Sequence, residues 1–255
     1  MAAMGLFSTT IAPQNSSQWL KFAFMHSAQF KFHGRLADFL PPQNKALWIT
    51  YSFANRPAIK DAIEAMGVPH VEIGEIILNG QLVSLSHSLV PDDRVEAYPI
   101  VQEDASQKFV LDVHLGKLAR LLRLLGFDTQ YQNNYTDKEI VVLAQAQQRV
   151  VLTRDVGLLK HKSIRWGYWL RSQQPMEQAR EVIYRFALNY FFKPFTRCLS
   201  CNGLITPIAK EAIASQLLPN TFLHFSEFYQ CQSCKKIYWK GSHYEKMLHL
   251  IEALK

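Results

Sequence analysis

The chain has 255 residues, 48% of them hydrophobic and 19% charged, a balance that excludes an intrinsically disordered protein. No apolar run approaches the roughly 20 residues of a membrane helix, which argues against a spanning protein and makes a soluble, cytoplasmic one the expectation. The formal net charge of +7 is concentrated in residues 105–255, where 21 basic side chains face 11 acidic ones, and this points to a polyanionic partner for that part.

Residues 1–27 hold one charge, Lys21, and lack the basic start and continuous apolar stretch of a secretory signal. The first arginine is Arg35, so the composition is not that of a transit peptide either. A disordered extension is expected over 1–27, with Met25 as an alternative start.

Residues 28–102 read as one α+β unit. Gln29, Lys31 and His33 alternate with Phe30 and Phe32, the period of a half-buried strand. A second strand is predicted over 45–53, ended by Asn55, Arg56 and Pro57. Pro57 suits the first position of a helix. Ile59, Ala62, Ile63 and Met66 then recur at helical spacing over 58–66, and Gly67 stops the run. Residues 75–78 lead into Asn79-Gly80, a strong two-residue hairpin signal, with a return over 81–83. A last strand is predicted over 94–98.

The order strand, strand, helix, strand, strand resembles a ubiquitin-like β-grasp, close to the sulfur-carrier proteins of thiamine and molybdopterin synthesis. Those carriers end in a free Gly-Gly whose carboxylate reacts. This chain runs on through Pro99 and Ile100 with no free end, so sulfur transfer is chemically unavailable. The resemblance implies binding or scaffolding, and packing on the neighbouring domain is the alternative.

Residues 103–108 form a polar link of the kind found at domain boundaries. Over 108–194 strands and helices alternate. Strands are predicted at 109–113, 127–131, 150–153 and 168–171. Helices are predicted at 115–125, where Gly126 ends the run, and at 137–148 and 176–191. Such alternation implies an α/β domain with a parallel sheet and flanking crossover helices.

In open α/β sheets ligands bind just past the carboxyl ends of the strands. Asp112 and Asp155 fall at such places, and Asp137 and Glu139 open the helix between them. Carboxylates drawn from separate elements suit Mg²⁺ or Mn²⁺, which can activate water against a phosphodiester. Purely structural readings stand beside this one. Thr136 and Glu139 fit a capping box, Asp137 suits a helix N-terminal dipole, and Asp155 could cap the turn at Gly157. Asp112, late in an apolar strand, needs a partner in any case. Along 115–125, Leu115, Leu118, Leu122 and Leu125 make a core stripe while Lys117, Arg120 and Arg123 recur on another face. These three could hold phosphates or be solvated charge. Arg154, beside Asp155, could contact phosphate or pair within the acidic cluster.

All four cysteines fall in two Cys-x-x-Cys pairs, Cys198 with Cys201 and Cys231 with Cys234, with 29 residues between the pairs. Two such knuckles signal a tetrahedral, structural Cys₄ zinc site, so residues 195–255 read as a zinc ribbon with a C-terminal helix. Two disulfides are the alternative, disfavoured by the absence of any export signal. His224 and His243 could substitute as ligands, but four thiolates need neither. Lys235, Lys236, Tyr238, Trp239, Lys240, His243 and Tyr244 interleave charge with aromatic faces, which suits single-stranded RNA. Packing of the ribbon onto its neighbour would use the same aromatics.

The run Phe109-Val110-Leu111-Asp112, the stretch from Leu115 to Thr129, and Val151-Leu152-Thr153-Arg154-Asp155 resemble the mut-seven C-terminal ribonuclease family. The segment Gly241-Ser242-His243-Tyr244 recurs there as well. The resemblance covers about residues 28–250. It implies a PIN-like ribonuclease domain over 108–194, a zinc ribbon, and a ubiquitin-like domain in front. By it, Asp112, Asp137 and Asp155 map to the acidic Mg²⁺ or Mn²⁺ centre, with Glu139 less directly. PIN nucleases often carry a further acid after the fourth strand, where this chain reads Leu170-Arg171-Ser172-Gln173-Gln174. Two other functions therefore stay open: an RNA-binding adaptor without chemistry, and a β-grasp domain that recruits a protein partner.

Overall fold

The computed structural model describes residues 25–101 and 106–255, so most of the predicted extension and half of the predicted link lie outside the described residues. The first sheet is built from β1 (His26–Phe32), β2 (Ile49–Phe53), β3 (Ile73–Leu78), β4 (Gln81–Val83) and β5 (Arg94–Pro99), in the order β2-β1-β5-β3-β4. β1 and β5 are parallel at its centre and the other pairs are antiparallel. Helix α1 (Ile59–Ala65) buries Ile59, Ala62 and Ile63 against Phe30, Ile76 and Val95, closing the β-grasp core. Asn79 (φ 49°) and Gly80 (φ 84°) take the two left-handed positions of the β3–β4 turn, as the Asn-Gly pair predicts.

Three details depart from expectation. β1 begins at His26, so residues 26 and 27 belong to the fold and not to the extension. β2 starts only at Ile49, because a 3₁₀ turn over Pro42–Asn44 and left-handed Ala46 (φ 61°) precede it. Pro57 does not open α1; Ala58 is the N-cap, held extended by a bridge to Ser88.

The second sheet is wholly parallel, β7-β6-β8-β9, from β6 (Lys108–Leu111), β7 (Asp128–Gln130), β8 (Val150–Thr153) and β9 (Gly167–Trp169). Successive side chains alternate between its faces. Phe109, Leu111, Val150 and Leu152 pack with α2 (Gly116–Leu124) and α5 (Pro175–Arg185) on one side. Val110 and Val151 pack with α3 (Asp137–Gln147) and α4 (Val156–Leu159) on the other. The predicted helix over 176–191 breaks at left-handed Ala187 (φ 48°), which lets Phe186 and Leu188 both enter one core before a 3₁₀ turn over Leu188–Phe191. β6, β7 and β9 are shorter than predicted.

A third, antiparallel sheet, β10-β11-β12, comes from β10 (Ile205–Ile208), β11 (Phe228–Cys231) and β12 (Ile237–Trp239). Helix α6 (Pro219–His224) lies within this unit. Helix α7 (Ser242–Glu252) then returns to the parallel-sheet domain, where Ile251 and Leu254 join the core of Phe186. Among the described residues, no helix is long and apolar enough to cross a membrane.

The β-grasp domain covers the open edge of β9. Glu72 Oε1 accepts the Trp169 amide at 2.8 Å, and Val71 enters the cluster of Val110, Ile140 and Val151. Arg171 Nε pairs with Asp38 at 2.9 Å, and Lys160 Nζ donates to the Glu64 carbonyl at 2.9 Å. An uncovered parallel edge would template pairing with another chain.

Candidate functional site

The ends of β6 and β8 hold two of the candidate carboxylates together through one hydroxyl. Thr153 Oγ1 donates to Asp112 Oδ2 at 2.8 Å and accepts the Asp155 amide at 2.8 Å. Asp112 Oδ1 accepts the Val113 amide at 2.6 Å, so the partner that its buried surroundings demand is found locally. Asp155 Oδ1 accepts the Gly157 amide at 2.7 Å and caps α4. Asp137 opens α3 at the surface and shares a cleft of about 550 Å³ with Asp155 and His161.

Glu139 is engaged in the capping box: its Oε2 accepts from the Thr136 amide and hydroxyl, each at 2.8 Å. Those two hydrogen bonds hold its carboxyl below the usual range. The three aspartates are not drawn into one tight set. Among the described residues, only the four cysteines form a group of three or more side chains spaced to hold an ion.

Beside the carboxylates lies a cleft of about 770 Å³ whose walls carry His114, Lys117, Arg120 and Arg154, with no acidic residue among the described residues that line it. Its floor is the start of α2. There a Cβ on Gly116 would meet the Tyr131 hydroxyl at 2.8 Å, and that hydroxyl donates to the Val113 carbonyl at 2.7 Å. The segment after β9 contributes the amides Gln173 and Gln174 to the wall. Arg171 turns away toward Asp38 and Glu72, while its amide and that of Ser172 donate to the Glu181 carboxylate. His114, two residues past Asp112, is not among the predicted site residues, although its position beside a strand-end aspartate is a usable signal.

Arg123 departs from its surface expectation. It lines the same cleft but is 3% exposed, and its donors go to the carbonyls of Thr129 (3.0 Å), Leu199 (3.2 Å), Ser200 (3.0 Å) and Tyr131 (3.5 Å). Burial pulls this guanidinium below its ordinary value, against the opposing influence of Cys198 and Cys201. It ties α2, β7 and the first cysteine knuckle together. Arg123→Ala is therefore expected to lower stability by about 3 kcal/mol, because buried carbonyls lose a charged donor. Urea unfolding checks this, and an unchanged midpoint would show that the carbonyls find other partners. Nearby, burial would raise Asp128, but hydrogen bonds from Arg149 and Asn202, both at 2.7 Å, hold it low.

The four thiols are unbridged, with Cys198 and Cys234 Sγ atoms 3.6 Å apart, Cys201 and Cys231 3.4 Å, and all four within 4.8 Å. Sulfurs on a tetrahedral zinc, with bonds of ~2.3 Å, stand roughly 3.8 Å apart, so the donors and their spacing fit that ion. Burial opposes ionisation of Cys198, yet hydrogen bonds from the Tyr238 hydroxyl and the Cys201 and Ser200 backbone bring it down to about 6. Burial and its neighbouring thiols push Cys201 up to about 12.

Residues 107–251 match the family described as Mut7-C RNAse domain, and residues 25–105 match the family described as Mut7-C ubiquitin. No curated protein matches the chain. Among solved structures, the solution structure of the Haloferax volcanii HVO 2177 protein is similar at 13% identity, covering 30% of this chain and 84% of that one with a TM-score of 0.25.

Proposed function

Because the chain belongs to the Mut7-C RNAse family, its matched domain preceded by that family's ubiquitin-like domain, we propose that it is a metal-dependent ribonuclease acting on single-stranded RNA. The observation that carries this reading is the basic cleft, whose described wall residues include no acid. Its walls include the chain neighbours of both anchored carboxylates, His114 near Asp112 and Arg154 beside Asp155. Lys117, Arg120 and Arg154 neutralise phosphates, with the planar guanidinium groups suited to bidentate contact. Arg123 shapes the wall from behind.

Asp112, Asp137 and Asp155 are the proposed oxygen donors for Mg²⁺ or Mn²⁺. Their chemistry fits such an ion, although they do not stand as a closed ligand set. A bound ion supplies activated water and charge neutralisation at the phosphate. The chain itself holds Asp112 and Asp155 in register through Thr153, and Glu139 steadies the turn that carries Asp137. Zinc on the four cysteines, with no open coordination position, is structural. The β-grasp domain is read as a protein-interaction module, and the setting as cytoplasmic.

The test is cleavage of labelled single-stranded RNA by zinc-replete protein with and without Mn²⁺. Asp112→Asn is expected to lower the rate at least about 100-fold, near 2.7 kcal/mol, with the melting temperature held. Cleavage retained by this variant would sink the Asp112 assignment. RNA bound but uncut by the parent chain would favour the adaptor, the reading that the amides at Gln173 and Gln174 support.

A further inference from the structure

Helix α7 and the ribbon enclose a second cavity, of about 440 Å³, which adjoins the basic cleft because Leu199 lines both. We propose that this cavity receives an unpaired nucleobase of the RNA strand whose phosphates lie in the basic cleft, a base-binding subsite outside the reaction centre. The inference rests on the ribonuclease reading only in taking RNA as the ligand.

Five aromatic side chains, Phe195, Tyr229, Tyr238, Trp239 and Tyr244, face this space from the segment before β10, from β11 and β12, and from α7. These rings do not close over one another into a solid core, and Lys240 beside them is half exposed. The cavity's volume falls within the roughly 300–1,000 Å³ of small-molecule pockets. Phe195 and Tyr244 lie 4.9 Å apart with their rings tilted by 31°, and Trp239 is left 39% exposed. Flat π faces suit stacking on any base, the way single-stranded RNA is held.

Charge points the same way. Among the described residues, no acidic side chain lines this cavity. Lys240 Nζ is paired with Glu227 at 2.7 Å, but both side chains are exposed and such a pair is worth little, so a phosphate can replace the carboxylate. Arg197 is spent differently: it donates to the Asn202 carbonyl at 3.1 Å and approaches Asp128 at 3.6 Å, fixing Phe195's segment to β7. Lys236 Nζ reaches Ser200 Oγ at 3.2 Å, and Ser200 lines the basic cleft. Lys236 therefore sets a positive charge beside both linings, on Ser200 of the cleft and 5.9 Å from the Tyr238 ring of the cavity. The Tyr238 hydroxyl lies 3.0 Å from Cys198 Sγ, so the cysteine site also fixes one wall.

The experiment titrates full-length, zinc-loaded protein, free of Mn²⁺ and Mg²⁺, with a fluorescein-labelled oligoribonucleotide, single-stranded or annealed to its complement. Trp239→Ala and Tyr244→Ala are expected to weaken the single strand about tenfold each, while Trp239→Phe stays within about threefold of the parent. Duplex binding should not change, because its bases are already paired. Arg120→Ala should weaken both. Metal content is measured on every variant, and Tyr244→Ala, on α7, decides the matter if Trp239→Ala binds less metal. Alanine variants that bind the single strand like the parent, with Arg120→Ala still weakened, overturn the base subsite alone and make a protein segment the occupant to test. A parent chain that binds neither RNA overturns the ribonuclease reading and the subsite together.

Discussion

Serine in place of Cys231 should abolish metal binding and unfold the ribbon between Cys198 and Gly241, leaving the two sheets before it folded. The reason is the size of the ribbon's own core. Between those residues only Cys198, Asn202, Ile213, Phe228 and Cys231 are buried, and two of the five belong to the cysteine cluster itself. Strands of three or four residues cannot bury enough apolar surface to offset the entropy of ordering the segment. Structural zinc supplies about 10–16 kcal/mol of apparent binding energy at neutral pH, far more than this core can provide. The loss should spread, because Arg123 would lose its acceptors Leu199 and Ser200, and Tyr238 its sulfur partner. Zinc content together with amide exchange over 198–241 measures the effect. A metal-free ribbon with protected amides would refute the structural role.

Glu72→Ala should be the most damaging substitution outside the ribbon. The residue is fully buried between the domains, with Oε1 on the Trp169 amide at 2.8 Å. Its Oε2 faces Arg35 Nε at 3.9 Å and an Arg171 nitrogen at 3.8 Å. Alanine would leave the Trp169 N–H without its acceptor and strip Arg35 and Arg171 of the carboxyl they face, a loss of about 3 kcal/mol or more. Glu72→Gln keeps the acceptor and should cost far less.

Burial is the largest influence on this carboxyl and raises it from 4.5, against the pull of Arg171, Arg35 and Arg185. On Arg171 the same pairing acts the other way, with Glu72 raising the guanidinium in spite of its burial. From pH 4.5 upward the unfolded chain has released the Glu72 proton while the folded chain still holds it. The stability that Glu72 supports is therefore full below that window and falls as pH rises through the raised value. Melting curves of parent and Glu72→Gln across this range should show the parent losing ground as pH rises. A flat difference would refute the buried, proton-holding state.

Much of this protein was legible because the signals are local. The Asn79-Gly80 turn, the Thr136–Glu139 capping box and the limits of β8 depend on residues a few positions apart, and the structure shows each as the sequence predicts. The two Cys-x-x-Cys pairs announce a cluster because each pair is a knuckle in itself, whatever chain runs between them. Arg123 was misplaced for the opposite reason. The i+3 spacing put it in one row with Lys117 and Arg120, but β7 and the cysteine knuckle close over that end of α2 and bury it.

The β-grasp, the parallel sheet and the four-cysteine cluster are readable in the chain alone, since hydrophobic period, turn chemistry and ligand spacing are written residue by residue. That Thr153 joins Asp112 to Asp155 and that Glu72 caps the edge of β9 emerges only when the elements pack together. These contacts link residues 41 to 97 positions apart in the chain. Their energies arise from burial and from hydrogen bonds formed once the domains have closed, and no local pattern encodes them.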